Sequence, residues 1–306
     1  ILQNQSLNLE IGSFSNNTFT SNNTSINVTK ALVQTNPIQK DTVIVWGGKK
    51  VGYLCYLQFL TSFDDSLRSV FGRFKNYKNT GIDELVLDLR FNGGGYVSSS
   101  DVLSCLAVRD LTSKVGTTMN KKVYNNTYTN ELKANNNPKD FITTFSNEAN
   151  NLGSLTRIFV LTSNNTASAS ELVINNLKPF MQVILIGEHT YGKNVGSFTI
   201  TDSKGRWTFG LQPITFKTTN ALNQSDYGTV NGFTPDYTLS DNVLPFKSLG
   251  DPYETYFNRA LTIISPVAFV PFGMTQGQSK GNLFHSMPLS DNPILDSKEM
   301  WIPRNK

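Results

Sequence analysis

One serine in this chain stands where a nucleophile could be made. Residues 162–172 read Thr-Ser-Asn-Asn-Thr-Ala-Ser-Ala-Ser-Glu-Leu, between the apolar run that starts at Arg157 and a segment patterned as a helix. Small side chains let a substrate backbone come close. A serine at a helix start sits at the positive end of the dipole, and the next amide has no partner inside the helix, so it can donate to an oxyanion. The same pattern also suits an ordinary serine N-cap. Asn92-Gly93-Gly94-Gly95 ends another apolar run, Leu85 to Leu89, ahead of a second helix. Three glycines permit positive φ and close backbone approach, for a second oxyanion donor, a phosphate cradle or a tight turn. Neither G-x-G-x-x-G nor G-x-x-x-x-G-K-[ST] is present, so nucleotide binding has little support. Gly192-Lys193 follows a third apolar run, Val183 to Ile186, and the lysine could point into the same cleft or into solvent.

Other candidates are weaker. Gly277-Gln-Ser279-Lys-Gly281 matches G-x-S-x-G, yet a nucleophile elbow needs a strand before it and a helix after it, and this one lies in a polar loop. The two histidines, His189 and His285, are far apart and lack ligand spacing, so neither a metal nor another cofactor is expected. Cys55 and Cys105 sit among apolar neighbours and read as buried free thiols.

The elements that must position these residues alternate. Val43–Trp46 and Val51–Leu57 form a hairpin about Gly47-Gly48. A helix follows, with Asp64 or Asp65 as cap and Leu67, Val70, Phe71 and Phe74 on one face. Strand, helix and strand then recur through residues 85–107 and 158–186, as in an α/β sheet with covered faces. Residues 110–155 are polar and rich in asparagine, with weak strand signals and no helix, as in a functional lid or irregular insert. After Lys193 the pattern turns to β. A last helix opens at Asp251-Pro252-Tyr253-Glu254, with Asp251 as cap and Tyr253, Phe257, Leu261 and Ile264 as its stripe. Residues 1–35 alternate with period two in two places, like the closing strands of a small β domain.

Composition narrows the class. The 306 residues are 38% hydrophobic and 11% aromatic, enough for a core, and only 16% charged, with net charge +4. No basic tract is dense enough for nucleic acid, and no apolar run approaches the roughly 20 residues of a membrane helix. Ile1 follows no leader-like segment, which reads as a processed form or a fragment.

Taken together, Leu87-Asp88-Leu89-Arg90-x-Asn92-x-Gly94-Gly95, Thr166-Ala167-Ser168-Ala169-Ser170-Glu171, Gly192-Lys193 and Gly232-Phe-Thr-Pro235-Asp236 resemble, in order and spacing, the signature blocks of the C-terminal processing peptidases, or tail-specific proteases. The resemblance covers about residues 42–240. It implies a crotonase/Clp-protease-like α/β core of strand–helix repeats with additional β-strands, and a Ser–Lys dyad in which Ser168 is the nucleophile and Lys193 the general base. It further implies an oxyanion hole from the backbone amides of Ala169 and of Gly94 or Gly95. Ser197 stands where many members carry a glutamine that orients the lysine, and is the candidate support for Lys193. Pro179 replaces an acidic residue common eleven positions after the nucleophile.

On this resemblance the expected domains are residues 1–35 as the C-terminal strands of a truncated PDZ-like domain, 36–270 as the catalytic domain and 271–306 as a C-terminal tail. The function expected is a serine endopeptidase, exported to the periplasm or cell envelope, that cleaves near the C-termini of peptide or protein substrates. The alternatives are a non-catalytic peptide-binding relative and a crotonase-like acyl-CoA enzyme. Neither the natural substrate nor the oligomeric state follows from the sequence.

Overall fold

Polar–apolar alternation at the start of the chain produces a ladder of its own. The computed structural model describes residues 5–15, 18–30, 35–134, 137–240, 246–266 and 300–301. Within them β1 (Ser6–Ser15) and β2 (Thr18–Thr29) pair antiparallel, with Ser6 opposite Thr29. Ile1–Asn36 make one unit and Pro37–Lys306 another.

The second unit begins with the expected hairpin, β3 (Ile38–Trp46) and β4 (Lys49–Tyr56), followed by α1 (Asp64–Lys75) and β5 (Glu84–Asp88). The apolar residues of α1 at i, i+3, i+4 and i+7 are buried as their spacing requires. Its N-cap is Phe63, without a side-chain cap, so neither Asp64 nor Asp65 plays that part. The short β6 (Gly95–Tyr96) leads into α2 (Val97–Ala107).

Residues 110–155 depart from expectation. They hold β7 (Thr118–Tyr124), α3 (Asn126–Ala134) and β8 (Ile142–Thr144). Met119, Phe145, Leu152 and Leu155 enter the core, so much of this stretch is built into the body of the unit. The helix escapes a periodicity search because α3 has no buried residue and therefore no apolar stripe.

β9 (Arg157–Thr162), α4 (Ala169–Leu177) and β10 (Gln182–Gly187) complete the strand–helix–strand repeat. One six-stranded sheet runs β3-β4-β5-β9-β10 and ends on β15 (Tyr237–Thr238); every pair but β3/β4 is parallel. Both faces are covered, which explains the unbroken apolar runs. Leu85, Leu87, Ile158 and Val160 face a core shared with α1, α2 and α4. The intervening Val86, Phe159 and Leu161 face Tyr256, Phe257 and Leu261 of α5 (Thr255–Ile264).

The second sheet takes β11 (Val195–Ser197) and β14 (Ile214–Asn220), while β12 (Ile200–Thr201) and β13 (Gly210–Leu211) pair apart from it. With β16 (Met300–Trp301) its order is β6-β16-β11-β14-β7-β8. The last helix starts later than its sequence signals suggest. Asp251 caps only a turn, and Glu254 is the true N-cap, accepting from the Phe257 amide at 2.9 Å. Tyr253 is 56% exposed and Tyr256 takes the buried place. Glu254 also pairs with Arg90 at 2.8 Å, a tertiary contact that no local pattern foretells.

Candidate active site

Two loops at the carboxyl ends of neighbouring parallel strands meet around one carboxylate. The first follows β9. Thr166 fixes it, with Oγ1 donating to the Leu89 carbonyl at 2.8 Å and accepting the Ser163 amide at 2.9 Å. Ser168 then takes the N-cap position of α4 at φ 62° and ψ −113°, outside the regions an L-residue favours. Such strain persists where the surroundings impose it, and often where a side chain must be presented. Ser168 has no exposed surface, and its hydroxyl makes no hydrogen bond among the described residues. Its side chain stands in the capping-box arrangement with Glu171, without closing a hydrogen bond of its own. The Ala169 amide, first in the helix, belongs to the set of N–H groups with no intrahelical partner.

The acid that serves the helix start is Glu171. Its Oε2 accepts from the Ser168 amide at 2.8 Å and from the Lys193 amide at 2.9 Å. Its Oε1 accepts from the Gly192 amide at 2.7 Å and from the Thr190 hydroxyl at 2.6 Å. One buried carboxylate thus joins the serine loop after β9 to the lysine loop after β10. The two side chains are not themselves hydrogen-bonded in this arrangement, since the Ser168 hydroxyl has no such contact. Burial raises the Glu171 carboxyl above its ordinary range, and the four donors pull it the other way. The folded protein therefore holds this proton at a pH where an unfolded chain has released it, and ionisation draws on fold stability as pH rises through that window.

The glycine loop closes the site from β5. Asn92 donates through Nδ2 to the Tyr56 carbonyl at 2.9 Å and accepts the Gly94 amide at Oδ1 at 2.9 Å. Its carbonyl receives the Ala167 amide at 3.1 Å and the Ser170 hydroxyl at 2.9 Å, so the glycine and serine loops are locked together. The Gly94 amide is engaged by Asn92, whereas Gly95 begins β6. Gly95 has φ 135°, and a Cβ there would fall on the Phe59 carbonyl, which only glycine avoids. Beneath the loop, buried Asp88 accepts from Arg90 at 2.7 Å and from the Tyr53 hydroxyl at 2.7 Å, and Arg90 reaches Glu254.

The fourth block braces the lysine loop. The Phe233 amide donates to Thr190 Oγ1 at 2.7 Å, and Asp236 accepts the Leu185 amide at 2.7 Å. Ser197 lies in β11, opposite Ile214 and Trp301. His189 is exposed, its Nδ1 3.1 Å from the Asn231 carbonyl. Cys55 and Cys105 are free and buried, and burial pushes the Cys55 thiol up to about 12, so it is no nucleophile at neutral pH. Ser279 and His285 fall outside the described residues, as does nearly all of the stretch 271–306.

Sequence reasoning quoted Glu171 and Asn92 without giving either a task. The signal for Glu171 was the capping-box spacing Ser168-x-x-Glu171. Its task can be tested. In Glu171→Gln the carboxamide must turn its NH2 toward two of the four donors, whichever way it lies. Each buried donor left unpaired costs about 1–3 kcal/mol. We expect a melting temperature about 5 °C lower or more. A wild-type melting temperature would remove Glu171 from this role.

Comparison with known proteins identifies the family. The model of Peptidase family S41 matches residues 50–239. A carboxyl-terminal-processing protease from Synechocystis sp. is 23% identical over 241 residues, covering 78% of this chain and 49% of that protein. A chloroplastic C-terminal processing peptidase from Tetradesmus obliquus is 24% identical over 233 residues, covering 74% and 45%. The chain thus spans about half the length of the curated relatives it matches. Among solved structures, a putative S41 protease from Bacteroides fragilis superposes with a TM-score of 0.65 at 29% identity, covering 87% of this chain and 68% of that one. The photosystem II D1 C-terminal processing protease superposes at 0.51 with 21% identity, covering 72% and 53%, a likeness of fold.

Proposed function

The chain belongs to peptidase family S41, and from that premise we propose that it is a serine endopeptidase that cleaves peptide bonds near substrate C-termini through a Ser168–Lys193 dyad. The observation that carries the reading is Ser168: a strained, buried N-cap residue whose hydroxyl has no hydrogen-bond partner among the described residues, in a loop bound through Glu171 to the loop of Lys193. In the reaction Lys193 takes the Ser168 proton as Oγ attacks the scissile carbonyl. The tetrahedral oxyanion is held by the Ala169 amide and by the Gly95 amide, since Gly94 already donates to Asn92. Lys193 then returns the proton to the leaving amine, and water completes the hydrolysis. Catalytic hydrogen bonds often tighten only with substrate bound, which accommodates the missing Ser168–Lys193 contact.

The same reading gives residues 1–35 as the closing strands of a PDZ-like domain, 36–270 as a crotonase-like catalytic core and 271–306 as a tail. It places the enzyme outside the cytoplasm, in the periplasm or cell envelope. No helix among the described residues is long and apolar enough to cross a membrane.

Incubating the protein with peptides of varied C-terminal sequence and following them by mass spectrometry tests the function. Truncated products cut near the C-terminus are expected. Peptides that bind but stay intact would favour a non-catalytic peptide-binding relative, the reading that the unpaired Ser168 hydroxyl leaves in play.

A further inference from the structure

β16 comes from far along the chain, yet it lies between two strands of the site and runs parallel to both. Met300 pairs with Gly95, and Trp301 pairs with Tyr96 on one side and with Ser197 on the other. The flanking strands are the two that leave the catalytic loops. β6 starts at Gly95 of the glycine loop, and β11 starts two residues after Lys193. Their facing edges carry backbone donors and acceptors that need a partner, which is how an exposed sheet edge takes up an extended peptide. Close by, the serine loop is bonded to the glycine loop through the Asn92 carbonyl, and the buried Ser168 hydroxyl has no hydrogen-bond partner among the described residues.

We propose that the slot between Gly95–Tyr96 and Val195–Ser197 receives the substrate strand, and that the chain's own Met300–Trp301 segment fills it as an intramolecular competitor that a substrate must displace. The proposal rests on the peptidase reading and adds its regulation. It also fixes a direction: the substrate strand runs parallel to β6 and β11, as β16 does. A strand of two residues makes few hydrogen bonds, each of modest net worth. Its advantage is attachment, which gives an effective concentration on the order of millimolar. A peptide able to form a longer ladder therefore displaces it.

The test uses the full chain with Met300→Pro or Trp301→Pro, because proline has no N–H to give to a ladder. For cleaved peptides, KM should fall about tenfold in at least one variant while kcat is kept, as expected when the free slot rises from one part in ten to nearly all of the population. A fluorescein-labelled peptide of residues 296–305, followed by anisotropy in a Ser168→Ala background, should bind that variant about tenfold more tightly than the parent. Unchanged KM and unchanged binding in both folded variants overturn the proposal. If no form of the protein cleaves peptide, the peptidase reading fails, and the anisotropy alone decides the slot. Should both proline variants unfold, amide exchange in Ser168→Ala decides it: saturating peptide should speed exchange at residues 300–301, and unchanged or slower exchange there overturns the proposal.

Discussion

Ser168→Ala is expected to lower kcat/KM for peptide hydrolysis by about 10⁴-fold or more, the scale seen when a nucleophile acting with its base is removed, and to leave the fold intact. The structure separates the two effects. The Ser168 hydroxyl makes no hydrogen bond among the described residues, so its removal orphans no donor or acceptor there. Losing an unsatisfied buried polar group is close to neutral. The unusual φ of 62° is no harder for alanine than for serine. The amide that Glu171 holds belongs to the backbone and survives the change. Ser170→Ala is the matched control. Its hydroxyl braces the Asn92 carbonyl, which keeps the Ala167 amide as a second donor, so a cost of about 1 kcal/mol and activity within a few-fold are expected. Thermal melts and peptide kinetics on both proteins check this. Turnover retained by Ser168→Ala would end the assignment.

Lys193→Arg should be nearly as damaging, with a loss of about 10²–10⁴ in kcat/KM, the range that a positioned general base supplies. An amine can release its proton and then accept one from serine, whereas a guanidinium in a protein stays charged. The change spares the architecture, because the bond from residue 193 to Glu171 is made by the main-chain amide. Loss of activity with an unchanged melting temperature would therefore report chemistry and not collapse of the loop. A wild-type rate for Lys193→Arg would mean that another group is the base. His189, exposed and turned toward Asn231, would be the first to examine.

How much of this was legible in the sequence depends on how local each signal is. The parallel strands were readable because burial on both faces leaves unbroken apolar runs, and the loops after them because glycines and small residues mark close backbone approach. The face of α1 followed from spacing alone. Glu171 was quoted only as part of a motif block, and its bonds to Thr190, Gly192 and Lys193 arise only when β10 is laid beside β9. The start of the last helix was misread because Glu254 answers to Arg90, distant in sequence, as well as to the helix. α3 offered no stripe to detect. A strand as short as Met300–Trp301 has no periodicity at all, and it exists through its pairing partners.

The shared carboxylate also governs mechanics. Two loops fastened to the same pair of oxygens cannot hinge independently. Separating the serine loop from the lysine loop would rupture charge-assisted hydrogen bonds in a dry interior, where nothing replaces them. The serine loop is likewise bolted to the glycine loop through Asn92. These three loops therefore form a rigid jaw, and adaptation to substrates of different bulk falls to whatever lies against it, beginning with the strand that fills its mouth.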